Sequence, residues 1–279
     1  MHIDEFTAEI KNGRPKYQKI FIPKRNGGLR DIFIPDEQTL RIQKAILRDI
    51  ETLADFPPCV MAFRKNLSIL NNAKAHLGNA YMIRYDLLNF FDTIGKDKIK
   101  DELLRRNFEP SLIKIILKWC LGGGHLPQGA PTSPFLSNLV CANLDKRFSL
   151  LAKKIDATYT RYADDIIISG DKEIVKYRTL FKRIIRTEKF LINYYKTRVT
   201  VLDSFVTRQD YSAEWFRDCH IATGLAVNKD YVSVRKAYLD ELWHKIRDGE
   251  DNLSTRGKIS FVKFITPNEA NKMIQRLVQ

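Results

Sequence analysis

Acidic residues interrupt the most strand-like segments of the sequence, and this placement constrains the fold more than any other feature. Asp164 and Asp165 separate two short apolar segments, 159–163 and 166–168, and Asp86 lies at the end of another such segment. A buried carboxylate without a partner is costly, so acids at these positions need a cation or a hydrogen-bond donor. The pattern predicts antiparallel strands that present acids at one edge of a sheet.

Three carboxylates converge if the strand of Asp86 lies beside the hairpin that carries Asp164 and Asp165. Because like charges repel, such a cluster favours a divalent cation, and hard oxygen ligands suit Mg²⁺. Two such ions activate a hydroxyl group and stabilise a leaving pyrophosphate. The alternative is that the two adjacent acids only form a hairpin turn, where Asp is common. That alternative does not account for Asp86.

The excess of positive charge favours a polyanionic partner. The 279 residues carry a formal net charge of +14, with an isoelectric point near 9.6. Segment 11–30 holds seven basic residues and no acidic residue, and segment 172–198 holds nine basic and two acidic residues. Charge runs often form only a solvated face, and nucleic acid and an anionic membrane surface both stay open on this observation alone.

Several classes of protein are disfavoured. No apolar run is long enough to span a bilayer, and the N-terminus lacks the basic start and apolar core of a signal peptide. Cys59, Cys120, Cys141 and Cys219 lie far apart without a C-x-x-C pair, so neither a disulfide framework nor a zinc site is indicated. We expect buried free thiols and a cytoplasmic location.

The hydrophobic pattern predicts a mixed α+β fold. A hairpin is expected over 17–22 and 29–34 with a turn at Asn26–Gly28, and further strands over 81–87, 157–161 and 166–169. Gly122–Gly124 lacks the Lys of a nucleotide-binding loop and is interpreted as a connector. Helices are expected over 37–53, 96–106, 110–120, 133–150 and 172–189, with a mainly helical segment after Val227.

Five segments resemble the motifs of reverse transcriptases and occur in the same order along the chain. Tyr162–Asp165 resembles their catalytic motif, and Asp86–Phe91 resembles the motif that supplies the third carboxylate. The others are similar to the fingers hairpin (22–30), the nucleotide-pocket motif (126–134) and a later palm motif that ends in Lys (192–197). The resemblance covers roughly residues 17–275.

The resemblance implies a right-hand polymerase fold with fingers, a palm formed by an antiparallel sheet with packed helices, and a short helical thumb. Residues 1–80 would form the fingers, with 96–127 at the junction between fingers and palm. Residues 81–95 and 128–226 would form the palm, and 227–279 the thumb.

The resemblance also implies roles for individual residues. Asp86, Asp164 and Asp165, together with Leu87, would bind two Mg²⁺ ions, for which Mn²⁺ would substitute, and the substrates would be deoxynucleoside triphosphates. The residues implied in nucleotide binding are Lys24, Arg30, Phe91, Gln128 and Lys196. Phe91 would exclude a ribose 2′-hydroxyl group, and Lys24, Arg30 and Lys196 would contact phosphates. Four of them have a plainer alternative: a solvated face for Lys24, a structural role for Lys196, a core ring for Phe91 and a polar residue at a helix entry for Gln128.

A narrower resemblance is to the retron reverse transcriptases. Asn72–His76 matches their N-A-x-x-H signature, and 220–228 is similar to their V-T-G segment, with Ala222 in place of the Val. Segment 256–261 is similar to their thumb pattern. The resemblance implies that Asn72, His76, Thr223 and Gly224 contact RNA or primer. A structural histidine and an ordinary turn are the alternatives.

The implied function is reverse transcription of a cognate structured noncoding RNA into branched, RNA-linked single-stranded DNA. The family association implies anti-phage defence with a separate effector protein and no membrane partner. Group II intron-like, diversity-generating and abortive-infection reverse transcriptases are alternatives, as is a noncatalytic nucleic-acid scaffold. We expect no maturase or endonuclease domain within 279 residues, and the oligomeric state stays open.

Overall fold

The computed structural model describes residues 2–24, 27–202 and 216–278. Arg25 and Asn26, and with them part of the expected hairpin turn, lie outside the described residues. The helices are α1 (Thr7–Asn12), α2 (Glu37–Glu51), α3 (Ile69–Lys74), α4 (Lys96–Arg105), α5 (Pro110–Trp119), α6 (Ser133–Val140), α7 (Ala142–Lys154), α8 (Arg178–Thr187), α9 (Lys236–Arg247), α10 (Leu253–Ile265) and α11 (Pro267–Val278). The strands are β1 (Tyr17–Pro23), β2 (Leu29–Pro35), β3 (Tyr81–Leu88), β4 (Thr158–Tyr162), β5 (Asp165–Gly170), β6 (Leu191–Ile192), β7 (Arg198–Leu202), β8 (Phe216–Arg217), β9 (His220–Ala222), β10 (Leu225–Val227) and β11 (Val232–Val234).

The predicted N-terminal hairpin is confirmed. β1 and β2 pair in antiparallel register from Tyr17 opposite Pro35 to Pro23 opposite Leu29. Gly27 and Gly28 have positive φ angles of 82° and 78°, which glycine adopts at little cost. The short apolar segments and the glycine turn were therefore sufficient to place this element.

A central sheet has the strand order β4-β5-β3-β7-β8, with β6 pairing the end of β3. β3 and β5 are apolar over nearly their whole length because both faces of the sheet are covered. Ile83 and Ile168 belong to a large core with helices α2 and α4–α8. Met82 and Ile167 belong to a second core with α3, the short strands β9–β11 and the C-terminal helices. Alternate residues along each strand therefore enter different cores.

Aromatic side chains pack the helices of the larger core against the central sheet. The ring of Phe148 on α7 stacks on Tyr159 at 4.9 Å and on Phe181 of α8 at 5.8 Å between ring centroids. Trp119 is fully buried, and its indole N–H donates to the Ile10 carbonyl. These contacts join the N-terminal segment, α5 and the sheet helices into one core.

Several elements differ from the sequence expectation. The helix expected over 133–150 is two helices that meet at Cys141, and the helix expected from Lys172 begins as a 3-10 turn, Lys172–Tyr177. The three-stranded sheet β11-β10-β9 was not expected. Its strands are three residues long, too short to give a clear alternating pattern.

The expectation of buried free thiols holds for only two of the four cysteines. The four cysteines are free thiols; Cys120 and Cys141 are buried, while Cys59 and Cys219 are half-buried. Among the described residues, none of the helices combines the length and apolar character needed to cross a membrane.

Candidate active site

The register of the central sheet brings the acidic residues together. Asp86 on β3 lies directly opposite Asp165 on β5. Asp164 lies in the turn before β5, and its carbonyl accepts a hydrogen bond of 2.9 Å from the backbone N–H of Leu87. The strand therefore continues past Asp86 and ends at Leu88, one residue beyond the expected range of 81–87. Leu87 is itself buried beside the acidic residues.

A strained turn presents Asp164 and Asp165. Ala163 has a φ of +57°, a conformation that a residue with a Cβ adopts only when its surroundings impose it. The guanidinium of Arg161 donates to the Ala163 carbonyl at 3.2 Å and to the Asn138 side chain at 3.1 Å. It also forms two bonds to the Asp145 carboxylate, of 2.8 and 2.7 Å.

Burial and mutual repulsion disfavour ionisation of two of the acids. Burial, the adjacent Asp165 and the nearby Asp86 raise the pKa of Asp164 from 3.8 to about 6. Burial also raises the pKa of Asp165, against the opposing charge of Arg84, whose Nε lies 3.9 Å from its Oδ1. Concentrated negative charge of this kind is the condition under which a divalent cation is favoured.

Asp86 has cationic and amide partners. Lys196 Nζ lies 3.0 Å from Asp86 Oδ2, and the Asn193 amide donates to Oδ1 at 2.9 Å. Within the described ranges, no three side chains of the His, Cys, Asp and Glu types form a ready-made metal cluster. The oxygen chemistry of the acids nevertheless fits hard divalent cations, because carboxylates on adjacent strands supply their preferred ligands. A cation at Asp86 would take the place of the Lys196 ammonium.

An open cleft of about 530 Å³ lies over Asp86 and Asp164, whereas Asp165 is not among its lining residues. It is lined by every residue that the sequence analysis assigned to nucleotide binding: Lys24, Arg30, Phe91, Gln128 and Lys196. Asp86, Leu87 and Asp164 also line it. The N-terminal hairpin and the central sheet thus both contribute residues to the lining of the cleft.

The loop after Leu126 holds the hairpin over the sheet. The N–H of Phe33 on β2 donates to the Gln128 carbonyl at 2.8 Å. Gly129 has a φ of +116°, and a Cβ there would lie 2.8 Å from the Phe33 carbonyl oxygen. Glycine is required at this position because the loop and the hairpin backbone approach so closely. Gln128 itself is half-buried at the cleft wall.

Two of the four residues expected to contact RNA, Asn72 and His76, are buried, and a direct RNA contact of the four stays a prediction. His76 is fully buried; its ring nitrogens lie 2.6 Å from Ser169 Oγ and 2.7 Å from Thr160 Oγ1. Asn72 is also fully buried, with its amide 3.4 Å from Thr223 Oγ1. Neither side chain reaches solvent for a direct contact in this conformation. Gly224 is exposed at the tip of the β9–β10 hairpin, with a φ of +86°.

Other residues at the site were not singled out from the sequence. Asn193 lies inside the motif 192–197, but nothing in its local pattern predicted the bond to Asp86. Arg161 and Asp145 are fully buried charges that pair with each other, and their neighbours along the chain gave no signal for this pair. Phe63 at the cleft wall gave no such signal.

Comparison with known proteins identifies the family of the chain. The family model described as reverse transcriptase (RNA-dependent DNA polymerase) matches residues 22–236, well over half of the chain. The chain therefore belongs to the reverse transcriptase family and is an RNA-directed DNA polymerase.

Sequence similarity to curated relatives identifies the chain as a bacterial, retron-like reverse transcriptase. The retron Ec86 reverse transcriptase of Escherichia coli is 29% identical over 253 residues, which are 88% of this chain and 75% of that protein. The retron Ec83 reverse transcriptase of the same species is 28% identical over 281 residues, which are 94% of this chain and 88% of that protein.

Solved structures confirm the right-hand polymerase fold. Apo telomerase from Candida tropicalis superposes with a TM-score of 0.59 at 13% identity, over 95% of this chain and 59% of the telomerase chain. Telomerase from Candida albicans, solved with a fragment of telomeric RNA, gives 0.55 at 10% identity, over 96% of this chain and 58% of its own. The chain thus spans less than two thirds of either telomerase, and these likenesses concern the fold.

Proposed function

We propose that the chain is a retron-type reverse transcriptase that copies a cognate structured noncoding RNA into branched, RNA-linked single-stranded DNA. The observation that carries the proposal is the contact between the two segments similar to retron signatures. Asn72 on α3 reaches Thr223 in the β9–β10 hairpin, and Thr223 Oγ1 donates to the Ile69 carbonyl at 3.3 Å. The two segments, 151 residues apart in the sequence, thus contact each other on the face of the sheet that carries the second core; this contact between α3 and the β9–β10 hairpin is called the joint below.

The domain limits of this proposal are those of the sequence analysis. Residues 1–80 act as fingers, with 96–127 at their junction with the palm; 81–95 and 128–226 act as palm, and 227–279 as thumb. Lys24 of the proposed fingers and Asp164 of the proposed palm line the same cleft, which is what a boundary between these two parts would give.

In the proposed active site, Asp86, Asp164, Asp165 and the main chain at Leu87 hold two Mg²⁺ ions, with Mn²⁺ as a substitute. When bound, the ions lower the pKa of the attacking hydroxyl and stabilise negative charge on the leaving group. The adjacent strands fix the carboxylates, and the bond from Leu87 to the Asp164 carbonyl holds the turn against β3.

The remaining cleft residues bind and orient the deoxynucleoside triphosphate. Lys24 and Arg30 are exposed on the hairpin and contact the phosphate oxygens, for which the Arg fork is well shaped. Gln128 orients the nucleotide or the templating base, and Phe91 excludes a ribose 2′-hydroxyl. Lys196 leaves Asp86 and compensates the charge of the departing pyrophosphate.

The RNA template is also the proposed source of the primer, an internal 2′-hydroxyl group. Since His76 and Asn72 are buried, we propose that they shape the joint beneath Thr223 and Gly224, and that the exposed hairpin tip approaches the RNA. A separate effector protein and a role in anti-phage defence complete the proposal, and a cytoplasmic location is consistent with it.

The product of the purified protein tests this function. Nucleic acid that co-purifies with the full chain is treated with RNase and with a debranching enzyme, then sized. A branched RNA–DNA species is the expected result. Unbranched complementary DNA would instead place the chain in another group of reverse transcriptases.

A matched pair of variants tests the metal site. The double variant Asp164→Asn, Asp165→Asn should lose at least about a hundred-fold in DNA synthesis, since loss of outer-shell partners alone costs 10–100-fold. Asp171→Asn, at an exposed acid just after β5, should retain activity. A folded double variant with undiminished synthesis would refute the assignment.

A further inference from the structure

Phe63 has a backbone conformation that its side chain does not favour. Its φ angle is +61°, and for a bulky residue such an angle is a genuine outlier, since the Cβ crowds the carbonyl that follows it. The side chain is 46% exposed, so burial of the ring does not account for the strain. Strained residues that the fold does not need concentrate at functional sites.

The chain around Phe63 is held on both sides, which enforces the strained conformation. Asn138 Nδ2 donates to the Ala62 carbonyl at 3.0 Å, and the N–H of Met61 donates to the Arg161 carbonyl at 2.9 Å. The Arg64 guanidinium donates back to the carbonyls of Pro57 at 3.1 Å and Val60 at 3.3 Å. Residues 57–64 are thus hydrogen-bonded to one another and to strand β4.

The same buried cluster holds the turn with the catalytic acids. Asn138 accepts from Arg161 through Oδ1 while its amide reaches Ala62, and Arg161 donates to the Ala163 carbonyl. Two left-handed residues, Phe63 and Ala163, therefore both line the cleft and share one anchor. The anchor positions the Phe63 ring relative to the acids.

The Phe63 ring packs on the residue expected to contact the nucleotide sugar. The ring centroids of Phe63 and Phe91 lie 6.5 Å apart, with planes inclined by 46°. Phe91 also contacts Phe90, with ring centroids 5.4 Å apart and planes at 62°. Phe90 is buried and Phe63 is 46% exposed, so Phe63 is the more exposed of these two aromatic neighbours of the half-buried Phe91.

We propose that Phe63 is a positioning residue for sugar selection: it holds the Phe91 ring in place from the cleft side. Without Phe63, Phe91 can rotate towards the open cleft and leave space for a ribose 2′-hydroxyl. The proposal deepens the proposed function, because it rests on the contact between Phe91 and the sugar. It explains why a strained, exposed aromatic residue lies where glycine would suit the backbone better.

The test is primer extension by the full-length protein with dGTP and with GTP, as the ratio of the two kcat/KM values. Phe63→Gly removes the ring and suits the left-handed backbone, so folding should be retained. We expect the discrimination to fall roughly ten-fold or more, the scale of one pocket contact, while dGTP incorporation persists. Phe63→Tyr keeps an aromatic ring at this position and should discriminate between dGTP and GTP as the wild type does.

Two further variants separate this inference from the function on which it rests. Phe91→Ala should lose discrimination, and Phe63→Gly should add little to it in the double variant, because both act through one ring. Asn66→Gly relieves another left-handed residue of the same loop, with a φ of +63°, and should leave the ratio unchanged.

Each outcome has one meaning. Loss of discrimination in Phe91→Ala together with a wild-type ratio in folded Phe63→Gly would overturn the inference and leave the proposed active site intact. Equal losses for dGTP and GTP in Phe63→Gly would also overturn it. Unchanged discrimination in Phe91→Ala would refute the assignment of Phe91 and the inference with it. If Phe63→Gly is unfolded, Phe63→Asn, which also tolerates a positive φ, decides by the same criteria.

Discussion

Lys196 Nζ lies 3.0 Å from Oδ2 of Asp86, so an ammonium group neutralises the carboxylate that the proposed metal site requires. The side chain of Lys196 is 51% exposed, whereas that of Asp86 is 9% exposed. A flexible, half-exposed partner can leave more easily than a buried one. The ion pair and a divalent cation therefore compete for the same oxygen.

The first prediction concerns this competition. Lys196→Gln should lower the half-saturating Mg²⁺ concentration for DNA synthesis by about two- to five-fold, because exposed ion pairs contribute up to about 1 kcal/mol. The maximal rate should fall at the same time, since the charge proposed to balance pyrophosphate is lost. Titration of Mg²⁺ in a primer-extension assay measures both values.

The control is Lys176→Gln, which breaks the exposed pair with Glu173 away from the cleft and should change neither value. A half-saturating concentration that rises in Lys196→Gln would contradict competition between the ammonium and the ion.

The second prediction concerns the buried pair of Arg161 and Asp145, whose side chains are both 0% exposed. Arg161→Met should lower the free energy of unfolding by about 3–5 kcal/mol, because it leaves an uncompensated carboxylate in the core. Combining it with Asp145→Leu should recover part of the loss. Urea unfolding of the single and double variants measures these differences.

Arg147→Met serves as the comparison, because its bond of 2.7 Å to Glu188 is partly exposed. We expect a loss of no more than about 1 kcal/mol there. Equal effects of Arg161→Met and Arg147→Met would show that burial does not determine the contribution of the inner pair.

The third prediction concerns pH. Burial lowers the pKa of His76 from 6.5 to about 3 and that of His220 from 6.5 to about 4. In the unfolded chain both titrate near 6.5, so below that pH the unfolded state binds protons that the folded state does not. The free energy of unfolding should therefore fall as the pH decreases below 6.5, by up to about 1.4 kcal/mol per pH unit for each histidine.

Unfolding curves at pH 7 and pH 5 measure this effect in the wild type and in His76→Gln. The variant should be less stable at pH 7, because it loses the bonds to Ser169 and Thr160. Its further loss between pH 7 and pH 5 should be smaller than that of the wild type by about 2 kcal/mol. An equal loss in both proteins would mean that His76 is not held neutral.

Local patterns predicted the elements on which the active site depends. Alternating or apolar segments placed β1, β2 and β5, and acids at strand ends indicated Asp86, Asp164 and Asp165 as neighbours. These features depend on a few adjacent residues, and the strand register then follows from pairing.

Features that depend on long-range packing were not predictable in this way. The resemblance of the N-A-x-x-H segment implied RNA contact, but His76 is buried and bonds to the distant hydroxyl groups of Thr160 and Ser169. The left-handed conformation of Phe63 depends on Asn138, which is 75 positions away in the sequence. No window around Phe63 contains that information, because its conformation is imposed by tertiary hydrogen bonds.

The last prediction concerns the net charge of +14. If most of this charge contacts RNA phosphates, each contact releases counterions, and the logarithm of the affinity falls linearly with the logarithm of salt concentration. We expect RNA affinity to drop by at least about a thousand-fold between 50 and 200 mM salt, as for proteins with six or more phosphate contacts. Filter binding or fluorescence anisotropy with the co-purified RNA measures this slope. Circular dichroism over the same salt range controls for unfolding, and a nearly flat slope for a folded protein would contradict an electrostatic RNA interface.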